Sequence, residues 1–225
     1  MTATVQPSTH AAETATQTRE RLLDAAERLF AERGYHAASV REITARAHCN
    51  VAAVNYHFGG KLNLYTAVFH RRLATLREQR IARVRTTLDR AGDRATLELV
   101  LSSFAQAFLE PLVHGSEGRM LMMLVGREFL DAQLPPGFFR REMIVPVRAA
   151  LEQAFERVTP GLGPDGASLC AQSFIGQLSH VVSMQRYRGE DGGGPPDARA
   201  LDTVLEHIVR FTAAGIRAYS EGSTT

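Results

Sequence analysis

The sequence predicts an all-α protein in two parts. An N-terminal three-helix domain is built around a helix-turn-helix, and a larger C-terminal helical bundle follows, with about nine helices in all. Three observations predict this. Apolar residues recur at helical spacing through nearly every patterned segment. No segment alternates strictly enough to be a half-buried strand, and no internal repeat is visible. The stretch 39–61, SVREITARAHCNVAAVNYHFGGK, sets two very short helices on either side of a tight turn.

Each element has its own signal. Leu22, Ala25, Ala26, Leu29 and Phe30 form one helical stripe, with Thr18 as N-cap and Gly34 as the residue that ends the helix. Ser39-Val40-Arg41-Glu42 is a capping box, and Val40, Ile43 and Ala47 give the second helix its buried side. Asn50 is the N-cap of a third, short helix that runs to about His57. A long helix runs from Lys61 to about Leu88, and another begins near Asp93 and carries Leu97, Val100, Leu101, Phe104 and Phe108. Gly115-Ser116 breaks the pattern before MLMMLVGREFL, which stops at LPPG, 134–137. A helix over 138–158 is bent or restarted at Pro146. A loop at 160–166, a helix over 167–188, a linker at 189–197 and a last helix capped by Asp197 complete the chain.

Composition narrows the function classes. Apolar residues at 44% and charged residues at 22% are ordinary for a globular protein. No apolar run is long enough to span a bilayer, so no membrane partner is expected. The first residues lack a basic start and an apolar region, so no export signal is expected. Two well-separated cysteines, Cys49 and Cys170, then point to the reducing cytoplasm. Net charge is +2, unevenly spread: residues 1–80 hold 11 Lys/Arg against 7 Asp/Glu, and the remainder 15 against 17. The basic end is the end with the helix-turn-helix.

In such a unit the second helix enters the DNA major groove and the first crosses the backbone. Val54 and Phe58 then face the core. Val51, Ala52 and Asn55 face outward, and Tyr56 and His57 lie where a phosphate strand passes. Gly59-Gly60 permits close backbone approach, and Lys61 joins the N-terminal amides of the next helix in an anion site. His48, Cys49 and His57 fit no zinc pattern, so no metal and no cofactor is expected. Cys49 reads as a small buried hydrophobe before a redox switch.

Residues 18–66, with R19 … LLDAAERLFAERGYHAASVREITARA … VAAVNYHFGGKLNLY, resemble the N-terminal domain of the TetR family of bacterial transcriptional regulators. NYHFGGK with the later GREF and PV segments looks closest to the branch that resembles the CecR-type regulators. The resemblance implies a homodimer with one DNA-binding head per chain and a C-terminal domain that binds an inducer and dimerises through its last two long helices. It divides the chain into a disordered tail (1–16), a DNA-binding domain (17–66) and a ligand-binding and dimerisation domain (67–225). Carried over by position, it implies DNA contacts for Ser39, Arg41, Asn50, Val51, Ala52, Asn55, Tyr56, His57 and Lys61. Asn55 stands where the family usually has a tyrosine, and it can pair bidentately with adenine. His48 stands in place of the usual turn glycine, so a non-glycine residue has to take positive φ there.

For the C-terminal part, a Met- and Phe-lined pocket for a partly hydrophobic effector is expected, with Phe104, Phe108, Met123, Arg127, Phe138, Gln177, His180 and Met184 as candidates. Plain core packing and an internal Arg127–Glu128 ion pair are the alternatives. Phe174, Leu178, Val181, Val204, Ile208 and Phe211 are the candidates for a self-complementary dimer interface. The resulting expectation is a ligand-responsive repressor that binds a palindromic double-stranded operator as a dimer. Two alternatives stand beside it. A helical enzyme would need a turned-over substrate, and no catalytic motif supports one. An architectural protein would bind DNA without sequence preference.

Overall fold

A computed structural model describes residues 9–113, 115–190 and 198–222, and these contain nine α-helices and no strand. They run α1 (Thr9–Ala37), α2 (Val40–Arg46), α3 (Ala52–Phe58), α4 (Lys61–Ala91), α5 (Leu97–Val113), α6 (Gly115–Leu130), α7 (Val145–Val158), α8 (Gly163–Glu190) and α9 (Ala198–Gly222). The chain forms two compact units: Met1–Arg72 with Met120–Pro136, and Leu73–Arg119 with Gly137–Thr225. The head therefore extends past residue 66 and takes in most of α6, which sequence spacing could not reveal.

In the head unit, α1 buries Leu22, Leu23, Ala26, Leu29 and Phe30. It starts at Thr9, so residues 9–16 of the expected disordered tail are helical, and residues 1–8 lie outside the described residues. Thr18 is then interior to the helix, and its hydroxyl donates to the Thr14 carbonyl instead of capping. The helix is broken at Gly34, where φ is 81° and ψ 173°. That region belongs essentially to glycine, and a Cβ here would also meet Arg127 Nη1 at 3.4 Å. Gly34→Ala is expected to destabilise the head by about 2 kcal/mol, read as a lower denaturation midpoint. An unchanged midpoint would show that the break relaxes freely.

The C-terminal unit packs α7 on α8, α5 on α9 and α8 on α9 around Leu101, Phe104, Leu151, Phe155, Phe174 and Leu178. A 3-10 turn (Gly92–Arg94) precedes α5, and Thr96 Oγ1 accepts from the Leu99 amide at its start. Pro146 acts one turn earlier than a simple restart would suggest. It lies in the first turn of α7, behind a π-helical segment Arg140–Ile144 in which the Val145 amide donates to the Arg140 carbonyl. Proline has no N–H for the carbonyl four residues back, that of Glu142. Arg77 Nη1 donates to that carbonyl instead, at 2.7 Å. The expected loop at 160–166 is shorter than its glycines suggest, because α8 already begins at Gly163. The last seven residues of the expected linker, 191–197 including Asp197, lie outside the described residues, and 189–190 belong to α8.

Candidate nucleic-acid interface

The helix-turn-helix is set by three local devices. The first is the Ser39–Glu42 capping box: the Glu42 amide donates to Ser39 Oγ at 3.2 Å and the Ser39 amide to Glu42 Oε2 at 3.1 Å. Bonds from the Ser39 hydroxyl and amide, with Arg33 adding its charge at 2.5 Å, hold the Glu42 carboxyl below its ordinary range. The second is the turn. Ala47 ends α2, the Cys49 amide donates to the Thr44 carbonyl, and His48 takes φ 51°. His48 thus adopts the left-handed conformation its position demanded. The third is Asn50, whose Oδ1 accepts from the Ala52 amide at 3.0 Å and caps α3 from one residue outside its first turn. At the far end Gly59 closes α3 in the αL region, φ 72°.

These devices decide which side chains are free. Arg41, Val51, Ala52 and Asn55 are exposed, and Tyr56 is 81% exposed with its ring against His57. Arg41 and Asn55 have no side-chain partner among the described residues. Ser39 and Asn50 are exposed too, but their side chains are engaged in capping. Val54 and Ile43 are fully buried between the helices. Phe58 is only half-buried, with the Arg19 guanidinium over its ring at 5.3 Å, so it is a rim residue instead of a core one. Lys61 is folded back: its Nζ lies 4.5 Å from the centre of the Tyr35 ring and donates to the His36 carbonyl at 3.4 Å. Burial lowers its basicity. Burial raises the Cys49 thiol and outweighs the opposing charge of Arg21, so the thiol stays protonated.

Behind this face stands an ionic frame that the sequence pattern missed. Glu27, 1% exposed, accepts from Arg71 Nη2 at 2.9 Å and from Arg72 Nε, joining α1 to α4. Its signal in the sequence is a glutamate on the apolar stripe of α1. Arg127 and Glu128 form a second tie. Arg127 donates from Nε to the Ala31 carbonyl at 2.8 Å and from Nη2 to the Glu32 carbonyl at 2.5 Å. These are carbonyls of the last turns before the Gly34 break, where a cation suits the helix end. Glu128 accepts from the buried Tyr65 hydroxyl at 2.9 Å and from the amides of Gln133 and Leu134. Burial first, then that carboxylate, pushes the Tyr65 hydroxyl far above its ordinary range. Arg127 is thus occupied within the head, which corrects its expected role as an effector contact.

The other effector candidates do not converge. Phe104, Phe108 and Phe138 are buried in the C-terminal unit, and Phe104 touches both Phe108 and Phe174. Met123 is exposed and belongs to the head unit. His180 and Met184 are exposed on α8, and Gln177 donates to Thr212 Oγ1 on α9 at 3.1 Å. An open groove of about 460 Å³ along α4 and α5, lined by Gln79, Arg83, Thr86, Arg90 and Glu110 among others, includes none of the eight candidates. The dimer candidates divide likewise. Phe174, Leu178, Val181 and Ile208 are buried inside the single subunit and cannot face a partner, whereas Val204 and Phe211 are exposed. The stripe predicted on α8 is the inward one, and the stripe predicted on α9 mixes inward Ile208 with outward Val204 and Phe211.

A short first helix, a glycine-free left-handed turn and an exposed second helix define a DNA-binding helix-turn-helix on a larger helical body. Comparisons agree. Residues 22–68 match the family described as bacterial regulatory proteins, tetR family, and residues 102–215 match the tetracyclin repressor-like C-terminal domain. The HTH-type transcriptional activator FasR of Mycolicibacterium smegmatis is 37% identical over 201 residues, covering 88% of this chain and 82% of that protein. The chain belongs to the TetR family of transcriptional regulators. The HTH-type transcriptional repressor AcnR of Corynebacterium glutamicum is 36% identical over 63 residues, 28% of this chain and 34% of AcnR. Among solved structures, a transcriptional regulator from Saccharomonospora viridis in complex with choline superposes with a TM-score of 0.63 at 16% identity, covering 87% of this chain and 95% of that one. No helix among the described residues is long and apolar enough to cross a membrane.

Proposed function

We propose that the protein is a dimeric, effector-controlled regulator that reads a pseudo-palindromic operator through α3 and is released when a small molecule binds the C-terminal unit. The observation that carries the reading is the exposed outward face of α2 and α3: Arg41, Val51, Ala52, Asn55 and Tyr56. Asn55 reads a base edge, Val51 and Ala52 suit thymine methyls, and Arg41, Tyr56 and His57 fix the register on phosphates. Ser39 and Asn50 shape the motif and approach phosphate only through what their caps leave free. Lys61 reaches a phosphate by swinging off Tyr35.

The dimer forms on the outer stripe of α9, Val204, His207, Phe211, Ala214 and Ala218, whose 3-4-3-4 spacing is that of a helix-helix seam. Phe211 is 65% exposed in the single subunit. Small exposed residues on α8, Gly176, Ser179 and Ser183, permit close approach. The exposed His180 and Met184 fall beside this face, where a partner would cover them.

Control runs through α4 and α6, each a continuous helix shared between the two compact units. An effector that prefers one arrangement of these helices re-aims the head, and half-sites about one DNA turn apart are then mismatched. Arg127 carries that movement to α1. Arg127→Ala is expected to leave operator affinity within about threefold but to weaken effector-driven release about tenfold, a coupling of ordinary allosteric size. Titrating the operator complex with effector checks it, and unchanged release would exclude this route.

Selection from random duplex DNA at physiological salt, followed by footprinting, tests the whole reading. A pseudo-palindrome protected on one face is the expected result. No enrichment with or without cell-extracted small molecules would overturn it in favour of non-specific binding. The sign of control has a second reading, since the relative that covers 88% of this chain is an activator. A promoter fusion with the gene deleted separates the two: derepression marks a repressor, loss of expression an activator.

A further inference from the structure

Arg77 and Arg80 lie one turn apart on α4 and both reach toward the π-helical segment of the C-terminal unit. Their electrostatic situations differ. Arg77 has a carboxylate, Glu142 Oε2 at 3.2 Å, besides the carbonyl freed by Pro146. Arg80 has none among the described residues. Its Nη2 lies 3.4 Å from the Phe108 carbonyl, its Nη1 3.7 Å from Met143 Sδ, and its Cζ 3.9 Å from the centre of the Phe108 ring. Its Nε is sealed from solvent and donates to nothing. Burial alone lowers its basicity, to about 10, so the group stays charged near neutrality.

Arg80 is half-buried as a residue, but its Nε is cut off from water, and a guanidinium that has lost part of its hydration ordinarily has an anion beside it, because a ring face or one long carbonyl contact replaces little of what is lost. Here the five-donor fork is formed and largely unused, a geometry that matches a carboxylate or phosphate oxygen pair. The neighbours are apolar. Phe108 and Met143 are buried, and Phe108 continues into Phe104 and Phe174. Met143 belongs to the π-helical segment, a feature concentrated at functional positions, and a thioether side chain readily gives way.

We propose that Arg80 is the anion-recognition group of the effector site, pairing with the carboxylate or phosphate of a ligand whose remainder is apolar and lies along Phe108. The ligand's oxygens replace Met143 Sδ on the guanidinium and satisfy Nε. The proposal rests on the reading that the C-terminal unit takes an effector, and it specifies that effector's chemical class.

Calorimetric titration of the full-length protein with dodecanoate, dodecyl phosphate, dodecanol, dodecyltrimethylammonium and choline tests it. The wild type is expected to bind at least one of the two anions tenfold or more tighter than dodecanol, and neither cation better than dodecanol. Which anion wins distinguishes a carboxylate from a phosphate effector. Arg80→Met is expected to bind dodecanol as before and to lose the anion preference, while Arg80→Lys keeps part of it. No binding of any anion, equal binding of anion and alcohol, or a preference that survives in Arg80→Met would each overturn the proposal. Should Arg80→Met fail to fold, the wild-type comparison and Arg80→Lys still decide. DNA selection without ligand is read separately, so absence of an anion preference in the wild type, with intact operator binding, refutes this site alone.

Discussion

Asn55→Asp is expected to lower operator affinity about 100-fold while leaving the fold and the melting temperature unchanged. The Asn55 side chain is exposed and has no partner among the described residues, so the substitution removes no intramolecular contact. The replacement is nearly isosteric. It exchanges an amide that can both donate and accept for a carboxylate that only accepts, and it puts a negative charge into the groove between phosphate strands. A bidentate base contact contributes about 1–3 kcal/mol of discrimination, and repulsion by the phosphates adds to its loss. Arg41→Ala provides the contrast: it should weaken all sequences alike and reduce the salt slope by about 1. Fluorescence anisotropy on the selected operator and on scrambled duplex, at several salt concentrations, reads both effects. If Asn55→Asp binds the operator as the wild type does, α3 is not the reading helix.

Glu27→Ala is expected to destabilise the head by about 3 kcal/mol, the size of effect seen when one partner of a buried ion pair is removed. The carboxylate is buried and is the shared acceptor of Arg71 and Arg72, whose side chains are 27% and 26% exposed. Without it, Arg71 and Arg72 lose their shared buried acceptor. In a chain of this length such a loss lowers a cooperative melting temperature by about 6–12 °C. Glu27→Gln, which keeps the shape and one acceptor oxygen, should fall between the two. A change below about 0.5 kcal/mol in urea titration would mean that Glu20 and Asp24, which also pair with Arg71, hold α1 to α4 on their own.

How much of this was legible in the sequence depends on how local each cause is. The capping box, the Asn50 cap, the Gly34 break, positive φ at His48 and the outward face of α3 all follow from side chains acting within four residues of themselves. They could be read from spacing, except positive φ at His48, which the family resemblance implied. The start of α1 could not, since a Thr/Ala-rich segment has only modest helix propensity and its course is set by continuation of the helix behind it. The role of Arg127 was misread for a related reason. A charged pair inside an apolar run marks a buried polar interaction, but only the folded chain brings the Ala31 and Glu32 carbonyls to it.

The dimer candidates show the same limit from another side. Period and composition identify an apolar stripe on a helix, and they place Phe174, Leu178 and Ile208 in a core. They do not say whether that core belongs to one subunit or to two. The outer stripe of α9 has helical spacing but mixes histidine, alanine and valine with one phenylalanine, so it is less apolar than the inner stripe. Val204 and Phe211 are named from the sequence, but their separation from Ile208 becomes visible only once the inner stripe is seen to be filled. By itself, then, the sequence determined the all-α class and the helix-turn-helix, because helix periodicity and caps are properties of short segments, and the motif over 18–66 carried the resemblance to the family. The tertiary structure decided the membership of α6 in the head, the Glu27 frame, the apolar surroundings of Arg80 and which faces remain free. Each of these depends on residues tens of positions apart meeting, and desolvation of a charge has no meaning until the surface that excludes water exists.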